Sequence, residues 1–190
     1  MKRYNIEKIA NAIILALDEG VNFLGKTKLM KLIFFADKEH IKRYGRPIFF
    51  EFYVKDNMGP VPLKTYSILS SVNDLENEDF KDEVESLLQW LEVEEKDVNR
   101  KFPMLTFKKK KEFDQSVFSK SEIEVLKDVF KKFKDYTAQQ ISEYSHKLPE
   151  YKNKLYWEEI TYKDMAEEMK EFLEFWEEER KAFFKSITRK

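Results

Sequence analysis

One segment constrains the fold more than any other: Thr27 to Tyr66, reading TKLMKLIFFADKEHIKRYGRPIFFEFYVKDNMGPVPLKTY. Its first half crowds Leu29, Met30, Leu32, Ile33, Phe34, Phe35, Ala36 and Ile41 into one stretch. A helix that is apolar nearly all round at its start has no face to give to water, so it belongs at the centre of a fold. The hydroxyl of Thr27 is placed to cap the free N–H groups at its start. Gly45 and Pro47 stop it. Ile48 to Val54 is then rich in aromatic and β-branched residues, which suits a strand. Asn57, Gly59 and Pro60 mark a turn. Pro60 or Pro62 fits the first turn of a third helix, where a missing N–H costs little. Val61, Tyr66 and Leu69 would form the apolar side of that helix.

The rest of the chain reads mostly as helix. Ile6, Ile9, Ala10, Ile13, Ile14 and Leu17 share one face of a helix that Gly20 ends. Val72 to Glu78 is acidic and reads as loop. Asp79 to Trp90 suits a short helix through Phe80, Val84, Leu87 and Leu88. Leu91 to Val93 and Met104 to Phe107 are candidate strands, expected to pair with the first. Three later helices open with a capping box and a hydrophobic staple: Ser119 and Glu122 with Phe118 and Ile123, Thr137 and Gln140 with Tyr136 and Ile141, and Thr161 and Asp164 with Ile160 and Met165. Their apolar sets are Ile123, Leu126, Phe130 and Phe133, then Ile141, Tyr144 and Leu148, then Met165, Met169, Phe172, Leu173 and Trp176. The expected architecture is mainly α within an α+β class. It is one domain over residues 1–190, a helical bundle with a small antiparallel sheet of two or three strands. A charged C-terminal helix is expected over about 162–186. Arg100 to Asp114 is the one soft boundary.

Composition excludes several classes. The 190 residues include 17 Phe, enough for one sizeable core. The 35 Lys and Arg almost balance 36 Asp and Glu, for a net charge of −1. Nucleic acid is therefore not the expected main partner, since such a partner selects a strongly basic face. The chain has no Cys, which rules out disulfides and thiolate metal sites. Its N-terminal apolar run, Ala12 to Leu17, is too short to span a membrane, and Asp18 and Glu19 follow it. No membrane association and a cytoplasmic location are the expectation.

No reaction centre stands out. The two His residues, His40 and His146, each have one carboxylate three positions away, Asp37 and Glu143. A metal site needs a third ligand that the spacing does not supply. Gly-x-Ser-x-Gly is absent, and Ser145 beside His146 points about 100° away from it on a helix. Gly20 to Thr27 formally matches G-x-x-x-x-G-K-[ST]. That motif needs a preceding parallel strand, whereas the preceding segment here has a helical period. Val21, Asn22, Phe23 and Leu24 are also bulky for a phosphate cradle. No cofactor is expected. Lys108 to Lys111 is the only basic run, and it reads as a solvated strand end that discourages edge pairing.

Lys28-Leu29-Met30-Lys31-Leu32-Ile33-Phe34-Phe35-Ala36-Asp37 resembles the opening helix of the Panacea-domain, SocA-like antitoxin family. The same order continues through Gly45 to Ile48, the aromatic Phe49 to Val54, Gly59-Pro60-Val61 and Tyr66. It extends to Ser121-Glu122, Tyr136-Thr137-Ala138, Ile141-Ser142 and Ser145-His146. The resemblance runs from about Ile6 to Tyr162. Met58 before Gly59 and the charged tail after Asp164 depart from the family pattern, and both bear on which partner is recognised. The resemblance implies protein binding: an antitoxin that neutralises a cognate toxin by direct contact, with a protease as further partner in at least one branch. It implies no enzymatic role.

The partner-binding surface expected from this reading comprises Phe49, Phe52, Tyr53, Met58, Gly59, Pro60, Val61 and Tyr66. Gly59 and Pro60 would shape the turn, and the aromatics would supply contact area. Core packing is the competing reading for those aromatics, because buried strands select the same residues. The alternative function is a nucleic-acid-binding regulator, phage- or prophage-associated, with a basic face at Lys26, Lys28, Lys31, Lys42 and Arg43 or at Lys108 to Lys111. A third reading, an enzyme, would need a deep pocket lined by His40 and carboxylates. The sequence leaves the oligomeric state and the toxin's identity open.

Overall fold

The apolar run after Gly25 is wound into the helix that organises everything else. A computed structural model describes residues 5–73, 78–96 and 104–169, with positions 173, 178 and 181. In it α1 spans Ile6–Asp18 and α2 spans Lys26–Tyr44. Twelve of the nineteen residues of α2 are buried, among them Lys28, Lys31, Asp37 and His40. The helix begins at Lys26, so Thr27 lies inside its first turn and not at its cap. Gly25 occupies the N-cap position and supplies no side-chain bond. Gly45 ends the helix in the left-handed conformation, φ 70°, and its N–H returns to the Ile41 carbonyl.

The strand expected over Ile48 to Val54 forms late, as β1 (Tyr53–Asp56). Ile48 and Phe49 instead turn their N–H groups toward Asp37 Oδ1, at 2.7 and 2.9 Å. Gly59–Pro62, expected as turn and helix start, is a strand, β2. It pairs antiparallel with β1 from Tyr53↔Pro62 to Asp56↔Gly59, so the turn is Asn57-Met58. A Pro is tolerated here because β2 lies at the edge of its sheet. α3 (Leu63–Ser70) follows with Pro62 at its N-cap, one position before the first turn.

α4 (Lys81–Leu88) is preceded by a 3₁₀ turn, Glu78–Phe80. Residues 74–77 of the expected acidic loop lie outside the described residues. β3 (Leu91–Lys96) and β4 (Met104–Lys109) pair with each other, not with β1 as expected. The real third strand beside β1 is β5 (Glu159–Ile160), giving the order β2-β1-β5. Sequence reasoning missed it because two residues carry no alternating pattern.

α5 (Lys120–Phe133), α6 (Ala138–His146), α7 (Pro149–Lys152) and α8 (Tyr162–Met165) complete the described elements. All three predicted capping boxes are present, with both reciprocal bonds at Ser119–Glu122, Thr137–Gln140 and Thr161–Asp164. The helix expected over about 162–186 is interrupted at Ala166, φ −150° and ψ 76°. Beyond Met169 that expectation lies almost wholly outside the described residues. The buried apolar side chains form one cluster from Ile9 to Leu173. α2 sits at its centre, packed against α3, α5, α6, α8, β2 and β4. The fold is mainly α with two small antiparallel sheets.

Candidate partner-binding surface

The β1–β2 hairpin is bolted to the helices at its base, along its length and near its tip. At the base, Tyr53 donates its hydroxyl to Asp37 Oδ2 at 2.8 Å, and both residues are fully buried. Burial pushes the Asp37 carboxyl up to about 6, although the N–H groups of Phe49 and Ile48 and the Tyr53 hydroxyl pull it back. Glu51, also buried, accepts from the N–H groups of Lys64 and Thr65 and from the Thr65 hydroxyl. It thereby caps the start of α3, and burial raises its carboxyl to about 7. Tyr162 of α8 donates to the Glu51 carbonyl at 2.8 Å.

Along its length, Lys31 reaches out of α2 and donates to the Pro60 carbonyl at 2.8 Å. Burial lowers its ammonium to about 7, with Asp56 pulling it back up. Because β2 is an edge strand, the Pro60 carbonyl has room to accept a side-chain donor. Nearer the tip, Ser142 of α6 donates to the Met58 carbonyl and Tyr151 of α7 to the Asp56 carbonyl, both at 2.8 Å. Gly59 has φ +99°. A Cβ there would collide with Ser145 Oγ and lie 2.7 Å from Lys31 Cε. Only glycine fits both the conformation and the space.

This geometry divides the eight candidate contact residues. Met58 is 49% exposed and Tyr66 42% exposed. Phe52 is half-buried. Phe49, Tyr53 and Val61 are buried in the core or the sheet, and Gly59 and Pro60 are covered by α2 and α6. Phe49 and Tyr53 thus pack in the core, while Gly59 and Pro60 hold backbone positions in β2 beside the Asn57-Met58 turn. Tyr66 lies under the ammonium of Lys26, 3.8 Å from the ring centre.

Of the cations offered as a basic face, Lys28 and Lys31 are buried and Lys26 is half-buried, while Lys42, Arg43 and Lys108 to Lys111 are exposed. Lys28 donates to the carbonyls of Asn22 and Lys134, at 2.6 and 2.9 Å, and Lys26 to Ser70 Oγ. Burial lowers both ammonium groups to about 8. Arg43 is ion-paired with Asp128 and Glu39, each at 2.7 Å. In the Lys108 to Lys111 run, Lys108 pairs with Glu94 and Lys109 with Asp18 and Glu112, all at 2.8 Å. Lys110 donates to the Leu88 carbonyl and Lys111 lies over Trp90.

The segment that matches the nucleotide motif follows a helix, α1, and Val21 and Leu24 are buried in it. His40 is held between the Arg46 carbonyl at Nδ1, 2.7 Å, and Ser121 Oγ at Nε2, 3.1 Å. A carbonyl only accepts, so Nδ1 carries the proton and Nε2 accepts from the serine. That clamps the turn after α2. An open groove of about 400 Å³ between α2, α5 and α6 counts Phe35, Phe133 and Tyr144 in its lining, and His40 is not among its residues. Among the described residues no group of three metal-capable side chains occurs, and no helix is long and apolar enough to cross a membrane.

Residues 29–152 match a family model described as antitoxin SocA-like, Panacea domain. The chain belongs to this family of Panacea-domain antitoxins. The match covers well over half of the chain and begins inside α2, so the family segment is α2, the hairpin it carries and the helices that bolt that hairpin down. It ends at Lys152, before the strand β5. Membership supports a toxin–antitoxin role at the family level, points away from enzymatic activity and implies a toxin protein as partner. No curated protein and no solved structure gives a significant match.

Two features of this chain were not legible in its sequence. The first is the buried carboxylate pair Asp37 and Glu51, hidden because a sequence rich in acids gives no sign of which ones turn inward. The second is the run Leu155-Tyr156-Trp157, exposed by 78%, 63% and 53%. Three consecutive bulky apolar residues between Lys154 and Glu158, in no helical period, are the signal that was available.

Proposed function

We propose that this protein neutralises a cognate toxin by direct contact, using the tip of the β1–β2 hairpin as part of its binding face. The observation that carries this reading is the mounting of that tip. Met58 stands exposed in the family's own segment, while its carbonyl and those of its neighbours are held by Ser142, Lys31 and Tyr151 from three different helices. A preorganised apolar contact loses little conformational entropy on binding. Burial of Lys28 and Lys31 takes two cations away from the basic face that a nucleic acid would need, which favours a protein partner.

Co-expression with the product of the adjacent gene tests this. That product alone should arrest growth, and this chain should restore growth and co-purify with it. A drop in toxin level that requires a host protease would mark delivery to that protease as the route. A neighbour that is harmless alone and never co-purifies would remove the antitoxin reading.

A further inference from the structure

We propose that Leu155, Tyr156 and Trp157, joined with Met58, form the face that grips the toxin, and that this loop sets which toxin is recognised. The inference rests on the antitoxin reading above.

The loop is exposed but not loose. The N–H of Trp157 donates to the Lys55 carbonyl at 2.8 Å, and the N–H of Lys55 to the Glu158 carbonyl at 2.9 Å. Glu158 also accepts from the Leu155 N–H at 2.7 Å. Lys55 Nζ donates to the Lys154 carbonyl at 2.8 Å. Trp157 is held at φ +65°, a conformation unfavourable for a bulky side chain. Such strain persists only where the surroundings enforce it, here as at Phe23 (φ +56°) and Phe50 (φ +58°). The rings of Tyr156 and Trp157 lie 5.9 Å apart.

The loop is continuous with the hairpin tip. Lys55, to which its backbone is tied, lies in β1 three residues before Met58, which stands in the turn that follows, a span of at most about 10 Å. Leu155, Tyr156, Trp157 and Met58 therefore collect at one end of the β2-β1-β5 sheet. Two nearby cations are engaged within the chain. Lys154 pairs with Asp164 at 2.8 Å and Glu158 at 3.6 Å, and Lys55 lies over the Tyr151 ring. What this end offers is apolar area with fixed shape. The occupant that fits is a toxin face with an apolar pocket for a Trp or Leu side chain, and binding should change little with salt. Tyr and Trp are the residues that most often dominate such contacts. The loop lies beyond residue 152, where the family match ends.

The test uses the full chain and the purified product of the adjacent gene. Leu155→Ser and Trp157→Gly are expected to weaken binding at least tenfold each. Trp157→Gly should leave the thermal midpoint unchanged or raised, because glycine relieves the backbone. Phe23→Ser, at another exposed aromatic, should bind like the wild type. If both loop variants are folded and keep their affinity within twofold, the loop's role is overturned while the antitoxin reading stands. If the wild type itself forms no complex, both fall. A concentration-dependent dimer, or binding to vesicles of neutral phospholipid, that the same variants abolish would overturn the proposal in favour of a second copy or a membrane.

Discussion

The phenol of Tyr53 donates to Asp37 Oδ2 at 2.8 Å, and neither side chain reaches solvent. The bond joins the first residue of β1 to the middle of α2. It sets where the hairpin leaves the core. Tyr53→Phe removes one donor from a buried carboxylate and should cost about 1–3 kcal/mol. Asp37→Ala strands the N–H groups of Ile48 and Phe49 as well as the Tyr53 hydroxyl, and should cost more than Tyr53→Phe. Urea unfolding of the two variants measures this order. Equal, small losses would mean that water replaces the carboxylate.

The buried carboxyl of Glu51 and the buried ammonium of Lys31 predict opposite pH dependences. Glu51 has its folded value raised to about 7, so its contribution is present at low pH and lost as pH rises through that value. The wild type should lose about 1–3 kcal/mol relative to Glu51→Gln between pH 4.5 and 7.5. Lys31 has its folded value lowered to about 7, so its contribution is present at high pH and lost as pH falls through that value. The wild type should gain on the order of 2–4 kcal/mol relative to Lys31→Met between pH 7 and 10. A stability gap that stays flat with pH in either comparison would mean that the group is solvated.

Gly59 is where α2, α6 and the hairpin approach most closely. Gly59→Ala should cost about 2–4 kcal/mol, from positive φ and from the collision with Ser145 and Lys31. Because Ser145 Oγ is one of the colliding atoms, Gly59→Ala with Ser145→Ala should be less destabilised than the sum of the two single variants. Strict additivity in thermal melts would place the strain in the backbone alone.

Glu122 serves two purposes. It completes the capping box of α5, and it pairs with Lys8 at 2.8 Å and Arg46 at 2.6 Å. Burial alone would raise its carboxyl, but Lys8, Arg46 and the Ser119 N–H hold it below the usual range. Ser119→Ala should cost about 1 kcal/mol, a lost cap. Glu122→Ala also leaves Lys8 buried without its partner, and should cost about 3–5 kcal/mol. Similar losses for the two would show that the Lys8 pair contributes nothing beyond the cap.

What the sequence made legible was what local chemistry decides. The apolar run in α2 announces a central helix because no orientation of it satisfies water. The three capping boxes were legible because each is a four-residue device whose partners are fixed by helical geometry. What was hidden depends on contacts distant in sequence. Gly59–Pro62 reads as a turn until Lys31 and Ser145 are seen beside it. β3 and β4 pair with each other because they are neighbours in the chain, while β1 takes its partner β5 from about a hundred residues away. Phe49, Tyr53 and Val61 carry the composition of a contact strand and of a core strand alike, and only burial separates the two. The Leu155-Tyr156-Trp157 loop has no local device that marks it, and only its exposure in the fold sets it apart from core aromatics.

Titration of the purified chain into the purified product of its adjacent gene, followed by calorimetry, tests direct neutralisation most closely. The account predicts a defined stoichiometry, a dissociation constant in the micromolar range or tighter, and loss of the product's toxic activity as the complex fills. Absence of binding heat at concentrations where the chain still rescues growth would contradict it, since rescue would then run through something other than contact.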